Sequence, residues 1–320
     1  MLKRIAVLTT GGDAPGMNPA IRSVVRYGIT QKLEVMGVFR GWWGLINEEL
    51  KVLNHRSVSG IIGQGGTILK TARCTEFKTE EGQRRAYETI KKYAIDGLVV
   101  IGGNGSFAAA HEFHKKYKIP TVGIAASIDN DVNGIDYTIG TDTAINTALD
   151  AIDKIRDTAT SMERIFVVEV MGRDSGFIAL TVALAGGCED VIIPERELDL
   201  ELICHDIVHG NLVGKMSWII VVAEGAGKAE EIARQITEMT SLETRAVVLG
   251  HVQRGGRPTA VSRDLALNMG KAAVDCLLAG KSDIAVGLSG GKLAEVGFDV
   301  AIKKKELKIC DLFNLVRTLT

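Results

Sequence analysis

With 320 residues, 46% of them hydrophobic and 24% charged, the chain carries enough apolar material for one large core or two smaller ones. Its 38 basic and 39 acidic residues leave a formal net charge of −1, so no global field draws nucleic acid or an anionic membrane, and an anionic ligand must be met by a local cluster. Thirty-six glycines against five prolines, without a Gly-X-Y period, exclude collagen and a Pro/Gly-rich disordered chain; average usage of about 7% would give roughly 22 glycines.

The opening Met-Leu-Lys-Arg-Ile-Ala-Val-Leu-Thr-Thr has only a short apolar stretch before a glycine turn, and nowhere do 18 uninterrupted apolar residues occur. Neither export nor membrane insertion is expected. Short β-branched runs near Arg4–Thr9, Leu33–Val38, Gly97–Ile101, Thr121–Ile124, Ile165–Met171, Asp190–Ile193, Trp218–Ala223 and Ala246–Gly250 read as strands. Helical patterns alternate with them at Gln83–Tyr93, Phe107–Tyr117, Asp142–Ala159 and Ala229–Met239, the signature of parallel strands joined by crossover helices. In Asp142–Ala159 the residues Ala144, Ile145, Ala148, Leu149, Ile152 and Ile155 form one stripe, so that helix should pack against a sheet. Five scattered cysteines (Cys74, Cys188, Cys204, Cys276, Cys310) without a CxxC pair fit a reducing cytoplasm.

The strand ends carry the chemistry. Six runs stop at polar turns: Thr10–Gly16, Gly102–Ser106, Ala126–Asp131, Met171–Gly176, Glu224–Gly227 and His251–Gly256. Ligands of open α/β sheets bind outside the carboxyl ends of strands, and these loops are expected to surround one crevice. Gly11-Gly12 and Gly102-Gly103-Asn104-Gly105-Ser106 each lead from a strand into a helix, where backbone N–H groups can meet a phosphate. Alone, either reads equally well as a tight turn that needs glycine whatever binds. Arg73, Arg173 and Arg254 in similar loops strengthen the phosphate reading, because a planar guanidinium suits phosphate oxygens.

Ser127-Ile128-Asp129-Asn130-Asp131 places two carboxylates two residues apart, so an extended loop would project both from one side, suiting a general base and an orienting or metal-associated neighbour. The competing reading is an Asx-type turn. Gly225-Ala-Gly-Lys228 lacks the phosphate-loop frame. Gly287-Leu-Ser289-Gly-Gly291 matches GxSxG, but no histidine follows His251, so it reads as a turn between strands. His111/His114 and His205/His209 have helical spacing without a nearby third ligand, and both pairs read as surface helix faces.

As a set, LTTGGDAPGMN, GGTILKTARCTEF, VVIGGNGSF, SIDND, KIRDTATS, VVEVMGRDSG, VVAEG and VLGHVQRGGRPT resemble the bacterial-type ATP-dependent 6-phosphofructokinases, in family order from Arg4 to about Pro258. The resemblance implies transfer of the γ-phosphoryl group of Mg-ATP to the C1 hydroxyl of fructose 6-phosphate. It implies an α/β fold of two Rossmann-like three-layer domains with mainly parallel sheets and an active site in the cleft between them. Residues 1–140 plus 251–304 would form the larger, ATP-binding domain, and 141–250 plus 305–320 the smaller, fructose 6-phosphate-binding domain.

By the same resemblance, Asp129 is the general base, Asp131 orders the loop and metal, and Ser127 and Arg73 stabilise the transferring phosphoryl group. Gly12, Arg73, Cys74, Gly103, Asn104, Gly105 and Ser106 line the ATP site, with Trp42 near adenine. Met171, Gly172, Arg173 and Glu224 hold the sugar, Arg173 also counting among the catalytic residues, while His251 and Arg254 grip the 6-phosphate. Arg164 and Arg245 match arginines that reach that phosphate from a neighbouring subunit, which implies a homotetramer; the cysteine pattern places it in the cytoplasm.

Pyrophosphate-using relatives carry an acidic residue in place of Gly105 and a lysine in place of Ile128; this chain has neither, which favours ATP over the pyrophosphate-dependent alternative. Asn104 departs from the family's GGDGS, whose aspartate is associated with Mg²⁺. The departure predicts a higher Mg²⁺ requirement, reliance on Asp129 or water for the metal, or a catalytically weak sugar-phosphate-binding paralogue. Of the effector pattern, Arg22, Arg26, Arg156, Glu189 and Lys215 match, but Arg56, Gly60, Val213 and Met216 do not, predicting weak or absent responses to the candidate effectors ADP and phosphoenolpyruvate.

Overall fold

The computed structural model describes residues 2–306 and 309–319. The chain forms two units, residues 1–143 with 254–305 and residues 144–253 with 306–320.

Unit 1 contains β1 (Arg4–Thr9), α1 (Met17–Thr30), β2 (Glu34–Val38), α2 (Gly41–Ile46), β3 (Leu50–Leu53), α3 (Glu80–Lys92), β4 (Gly97–Gly102), α4 (Asn104–Tyr117), β5 (Thr121–Ser127) and β6 (Ile139–Gly140). The chain leaves it within α5 (Thr141–Met162). Unit 2 adds β7 (Ile165–Val170), α6 (Phe177–Ala185), β8 (Asp190–Ile192), α7 (Leu200–Leu212), β9 (Trp218–Ala223), α8 (Ala229–Thr240) and β10 (Thr244–Val248). Unit 1 resumes with α9 (Ala260–Leu278), β11 (Ile284–Ser289), β12 (Lys292–Gly297) and α10 (Phe298–Ala301), and α11 (Ile309–Thr318) closes unit 2.

The unit 1 sheet runs β12-β11-β5-β4-β1-β2-β3, with β6 beside β5; all pairs are parallel except the edge pairs β11–β12 and β2–β3. Its central strand β4 is buried along its whole length, which is why Gly97-Leu-Val-Val-Ile-Gly102 reads as a continuous apolar run: helices cover both faces of a parallel sheet. On one side α1 packs along α9, where a Cβ on Gly270 would lie 2.5 Å from Ser23 Cβ. Unit 2 is an all-parallel sheet in the order β10-β7-β9-β8.

The alternation of strand and helix agrees with the sequence reading, but several details differ. Strand β5 continues to Ser127, because its tail pairs with β6 as well as β4. Strand β10 starts at Thr244 and stops at Val248, following its register against β7. The α5 stripe is buried at Ala144, Ile145, Ala148, Ile152 and Ile155, while Lys154 and Asp157 are exposed. Gly290 and Gly291 form the turn between β11 and β12, so GxSxG is the turn it was read to be.

The reading of His111/His114 as a surface face is corrected. His111 is only 7% exposed and its Nδ1 lies 2.7 Å from Asp283 Oδ1, while His114 Nδ1 lies 2.7 Å from the Ile119 carbonyl and 3.1 Å from Ser282 Oγ. Asp283 and Ser282 come from the segment before β11 and Ile119 from the turn after α4, none of which one-helix periodicity can report. His205 and His209 are exposed, as expected.

Candidate active site

Parallel register puts the carboxyl ends of β1, β4 and β5 side by side: Thr9 pairs with Ile101 and Gly102 with Ala125. Three of the polar turns therefore emerge together, and with Arg73, Trp42 and Arg254 they line one cavity of about 410 Å³ in unit 1. Ser106, in the first turn of α4, donates from Oγ to the Thr10 carbonyl at 3.0 Å, tying the first glycine turn to the helix start. The first N–H groups of a helix lack intrahelical partners and favour an anion, and Gly103, Asn104, Gly105 and Ser106 all line the cavity.

The two glycine turns are built differently. At Gly12 a Cβ would stand 2.5 Å from Arg254 Nη1, so this glycine admits the guanidinium, whose Nη1 donates to the Asp13 carbonyl at 3.2 Å. At Gly105 a Cβ would meet nothing within 4 Å. No protein atom demands glycine there, and the residue lines the cavity with its open side. Ile128, 1% exposed, lines the cavity as well.

The carboxylate loop corrects one expectation. Ser127–Asp131 is not extended: residues 128 and 129 form a turn and Asn130 is left-handed at φ 52°. Asn130 is fully buried, accepts from Thr138 N at 3.1 Å and donates to the Asp136 carbonyl at 2.8 Å. Its neighbours Asp129 and Asp131 are both left lining the cavity. Ser127 Oγ donates to Asp131 Oδ1 at 2.8 Å and accepts from Asp129 N at 3.3 Å.

Asn104 completes the arrangement. Its Nδ2 donates to Asp131 Oδ2 at 3.1 Å and to the Asp131 carbonyl at 3.0 Å, and its buried Oδ1 has no hydrogen-bond partner. An aspartate could not make these donations. Among the described residues no group of three or more His, Cys, Asp or Glu could hold a metal ion by itself. Mg²⁺ normally takes one or two carboxylates and completes its shell with substrate phosphates. Asp129, Asp131 and the orphaned Asn104 Oδ1 fit a metal that arrives on a nucleotide.

Trp42 is 4% exposed, stacks on Phe77 with ring centroids 4.2 Å apart, and lines the cavity with its Nε1 unpartnered. Cys74 lines it too, its thiol pushed up chiefly by burial, which lowers its thiolate fraction at a given pH. Asp13, Lys78 and Glu112 also line the cavity and escaped the sequence reading. Glu112 follows Gly105 at i+7 and Ala109 at i+3 on α4, a spacing that could have found it; Lys78 depends on the fold of its loop.

In unit 2 Met171, Gly172, Arg173 and Glu224, the residues expected to hold the sugar, follow the ends of β7 and β9, which are paired neighbours. Met171 N donates to Gln253 Oε1 at 2.7 Å, and Gly225 N donates to the Gly172 carbonyl at 3.1 Å, locking the two turns together. Gly172 has φ 136° and its Cβ would lie 2.4 Å from the Ser175 carbonyl, so the turn needs glycine. Arg173 and His251 are exposed and Glu224 is half-buried. Arg164 and Arg245 lie at the other end of the sheet, Arg164 just before β7 and Arg245 paired with Phe166, and both bond Glu243, Arg164 Nε at 2.9 Å. Six residues of strand, about 20 Å, separate Arg164 from Met171, and Arg245 lies level with Phe166 near the same end, so within one chain they do not join the same group.

The effector-pattern residues form two clusters. Arg156 donates to the Gly187 carbonyl at 2.8 Å, and Lys215 Nζ lies 3.4 Å from Glu189, whose Oε2 accepts from Ile219 N at 2.7 Å. In unit 1, Arg22 Nη1 donates to the Val58 carbonyl at 2.9 Å, and burial followed by repulsion from Arg26 holds its guanidinium below the ordinary value.

Fold and cavity together define a doubly wound α/β protein with a glycine-lined cavity at the carboxyl ends of its parallel strands. The chain belongs to the phosphofructokinase family, whose pattern matches residues 4–277. The ATP-dependent 6-phosphofructokinases of Clostridium botulinum (strain Hall) and Thermotoga neapolitana are each 51% identical to it over 319 residues, covering 100% of both partners in each comparison. The phosphofructokinase structure from Saccharomyces cerevisiae superposes with a TM-score of 0.91 at 33% identity over 99% of this chain, which spans 48% of the yeast chain. A pyrophosphate-dependent phosphofructokinase from Marinobacter aquaeolei shares the fold, with a TM-score of 0.85 at 21% identity, over 99% of this chain and 91% of that one. No helix among the described residues is long and apolar enough to cross a membrane.

Proposed function

We propose that the chain is an ATP-dependent 6-phosphofructokinase, transferring the γ-phosphoryl group of Mg-ATP to the C1 hydroxyl of fructose 6-phosphate to give fructose 1,6-bisphosphate and ADP. The observation that carries this is the unit 1 cavity, where Asp129 and Asp131 face two glycine turns and the start of α4. Asp129 accepts the proton of the C1 hydroxyl as it attacks. Asp131, held by Ser127 and Asn104, fixes the loop, and Ser127, Arg73 and the α4 N-terminus surround the charged equatorial oxygens. Asp129, Asp131 and Asn104 Oδ1 would hold Mg²⁺, which when bound neutralises charge on the β- and γ-phosphates. Trp42 and Cys74 line the nucleoside end of the site.

Met171, Gly172, Arg173 and Glu224 hold the sugar, and His251 and Arg254 take its 6-phosphate. Arg164 and Arg245, at the opposite sheet end, complete the site of a neighbouring copy, which requires an oligomer; a homotetramer satisfies this. Arg22 and Arg26 in the larger unit, and separately Arg156, Glu189 and Lys215 in the smaller, are each candidates to meet the phosphate of ADP or phosphoenolpyruvate, with a weak or absent response. The larger unit binds ATP, the smaller the sugar, in the cytoplasm.

An aldolase-coupled assay tests this with ATP or pyrophosphate as donor, each titrated with Mg²⁺. Turnover with ATP alone is expected, because the space beside Gly105 admits the α-phosphate and nucleoside. Turnover with pyrophosphate only, or sugar-phosphate binding without turnover, would refute the assignment.

A further inference from the structure

We propose that Lys305 is a positioning residue for phosphoryl transfer, holding from behind the loop that carries Asp129 and Asp131; this rests on the kinase reading above. Its Nζ donates to the Asn130 carbonyl at 2.9 Å and to the Ile135 carbonyl at 2.7 Å, bridging the two ends of the 130–135 turn. The bridge falls where the loop most needs it. Asn130 is a non-glycine residue in the left-handed region, which a side chain disfavours, and it is the link between the two carboxylates.

The Asn130 side chain is already committed to Thr138 N and the Asp136 carbonyl. Its own carbonyl is met by Lys305, and without that ammonium it would need another donor to face a buried residue. The segment before Lys305 reinforces the hold: Lys304 bridges Val132, and Asn133 donates to the Ala301 and Val300 carbonyls at 3.3 and 3.2 Å. Burial pushes the Lys305 ammonium below its ordinary value, while Asp136 and Asp131 pull it back up, so a cation stands under a loop bearing two carboxylates. Lys305 is also the last residue of unit 1 before the chain passes to unit 2.

The test compares Lys305→Met and Lys305→Arg with the parent, reading steady-state kinetics and hydrogen exchange of backbone amides resolved by segment. For Lys305→Met, kcat should fall about 10- to 100-fold, the scale on which small misplacements of reacting groups act, with KM for ATP changed less than about threefold. Exchange should accelerate across residues 128–138 and stay unchanged in β1 and β7. Lys305→Arg, which keeps a cation with several donors, should retain more activity than Lys305→Met. A kcat within about threefold of the parent, unchanged exchange in 128–138, or faster exchange throughout unit 1 would each overturn the proposal. If the parent itself turns over no ATP with fructose 6-phosphate, the kinase reading fails, and the exchange measurement still decides whether Lys305 holds the loop.

Discussion

Replacing Asn104 by aspartate exchanges two hydrogen bonds for a charge conflict, and its size can be worked from the structure. Nδ2 of Asn104 lies 3.1 Å from Asp131 Oδ2 and 3.0 Å from the Asp131 carbonyl. A carboxylate oxygen at the same place would face the Asp131 charge with about 5 kcal/mol of repulsion at an effective dielectric near 20. Water in the open cavity and a small retreat of the side chain reduce this to about 1–3 kcal/mol. A divalent cation between the two carboxylates relieves that repulsion and gains a charged ligand in place of a neutral amide oxygen. Since 1.4 kcal/mol is tenfold in affinity, Asn104→Asp should lower the Mg²⁺ concentration for half-maximal activity by about tenfold. In the absence of metal the variant should melt below the parent, and Mg-ADP should raise its Tm more than the parent's. An aldolase-coupled Mg²⁺ titration and a paired thermal-shift series read both effects. An unchanged or higher Mg²⁺ requirement would refute the reasoning and leave Asn104 as a positioning donor with no bearing on the metal.

Three further outcomes are expected. Asp129→Ala should cut kcat by ~10²- to 10⁴-fold with a smaller change in fructose 6-phosphate binding, and a kcat within tenfold of the parent would remove Asp129 as the base. At Gly105 a Cβ meets no protein atom within 4 Å, and Gly105→Glu places an acid in the first turn of α4, where the helix dipole favours it, so Tm should hold within a few degrees. KM for ATP should nonetheless rise more than about tenfold, since that carboxylate fills the space left for the nucleotide and repels its phosphates; ATP kinetics beside a melting curve separate the two. Burial pushes the Cys188 thiol up to about 12 and the Cys276 thiol up to about 11, with Glu295 adding to the latter. Raised values mean less thiolate at any given pH, so iodoacetamide at pH 8 should leave both unmodified in the native protein, read by peptide mass mapping, and label them only on unfolding.

Much of the site was legible because its parts are local. Gly11-Gly12, Gly102–Ser106 and Ser127–Asp131 are each one contiguous turn after one apolar run, and the alternation of runs is enough to make neighbouring parallel strands present those turns at a common edge. The glycine turns and the paired carboxylates follow from residue type and order, and the departure at Asn104 from the family resemblance. The structure decided what those residues do to one another. Asn104 and Asp131 are 27 residues apart, and only the adjacency of β4 and β5 turns an apparent loss of a metal ligand into a donor that holds a carboxylate.

The same limit applies elsewhere. His111 looked like a solvent-facing helix residue because periodicity weighs its own helix alone, whereas Asp283, 172 residues later, covers it. The left-handed Asn130 converts an expected extended pair into a turn, and the ammonium that satisfies its carbonyl comes 175 residues on, from Lys305. A one-dimensional pattern reports burial and turn chemistry because these depend on near neighbours. Partners brought together by a parallel sheet are separated by whole crossover units, so charge compensation and hydrogen-bond satisfaction around the carboxylates were decided by tertiary structure alone.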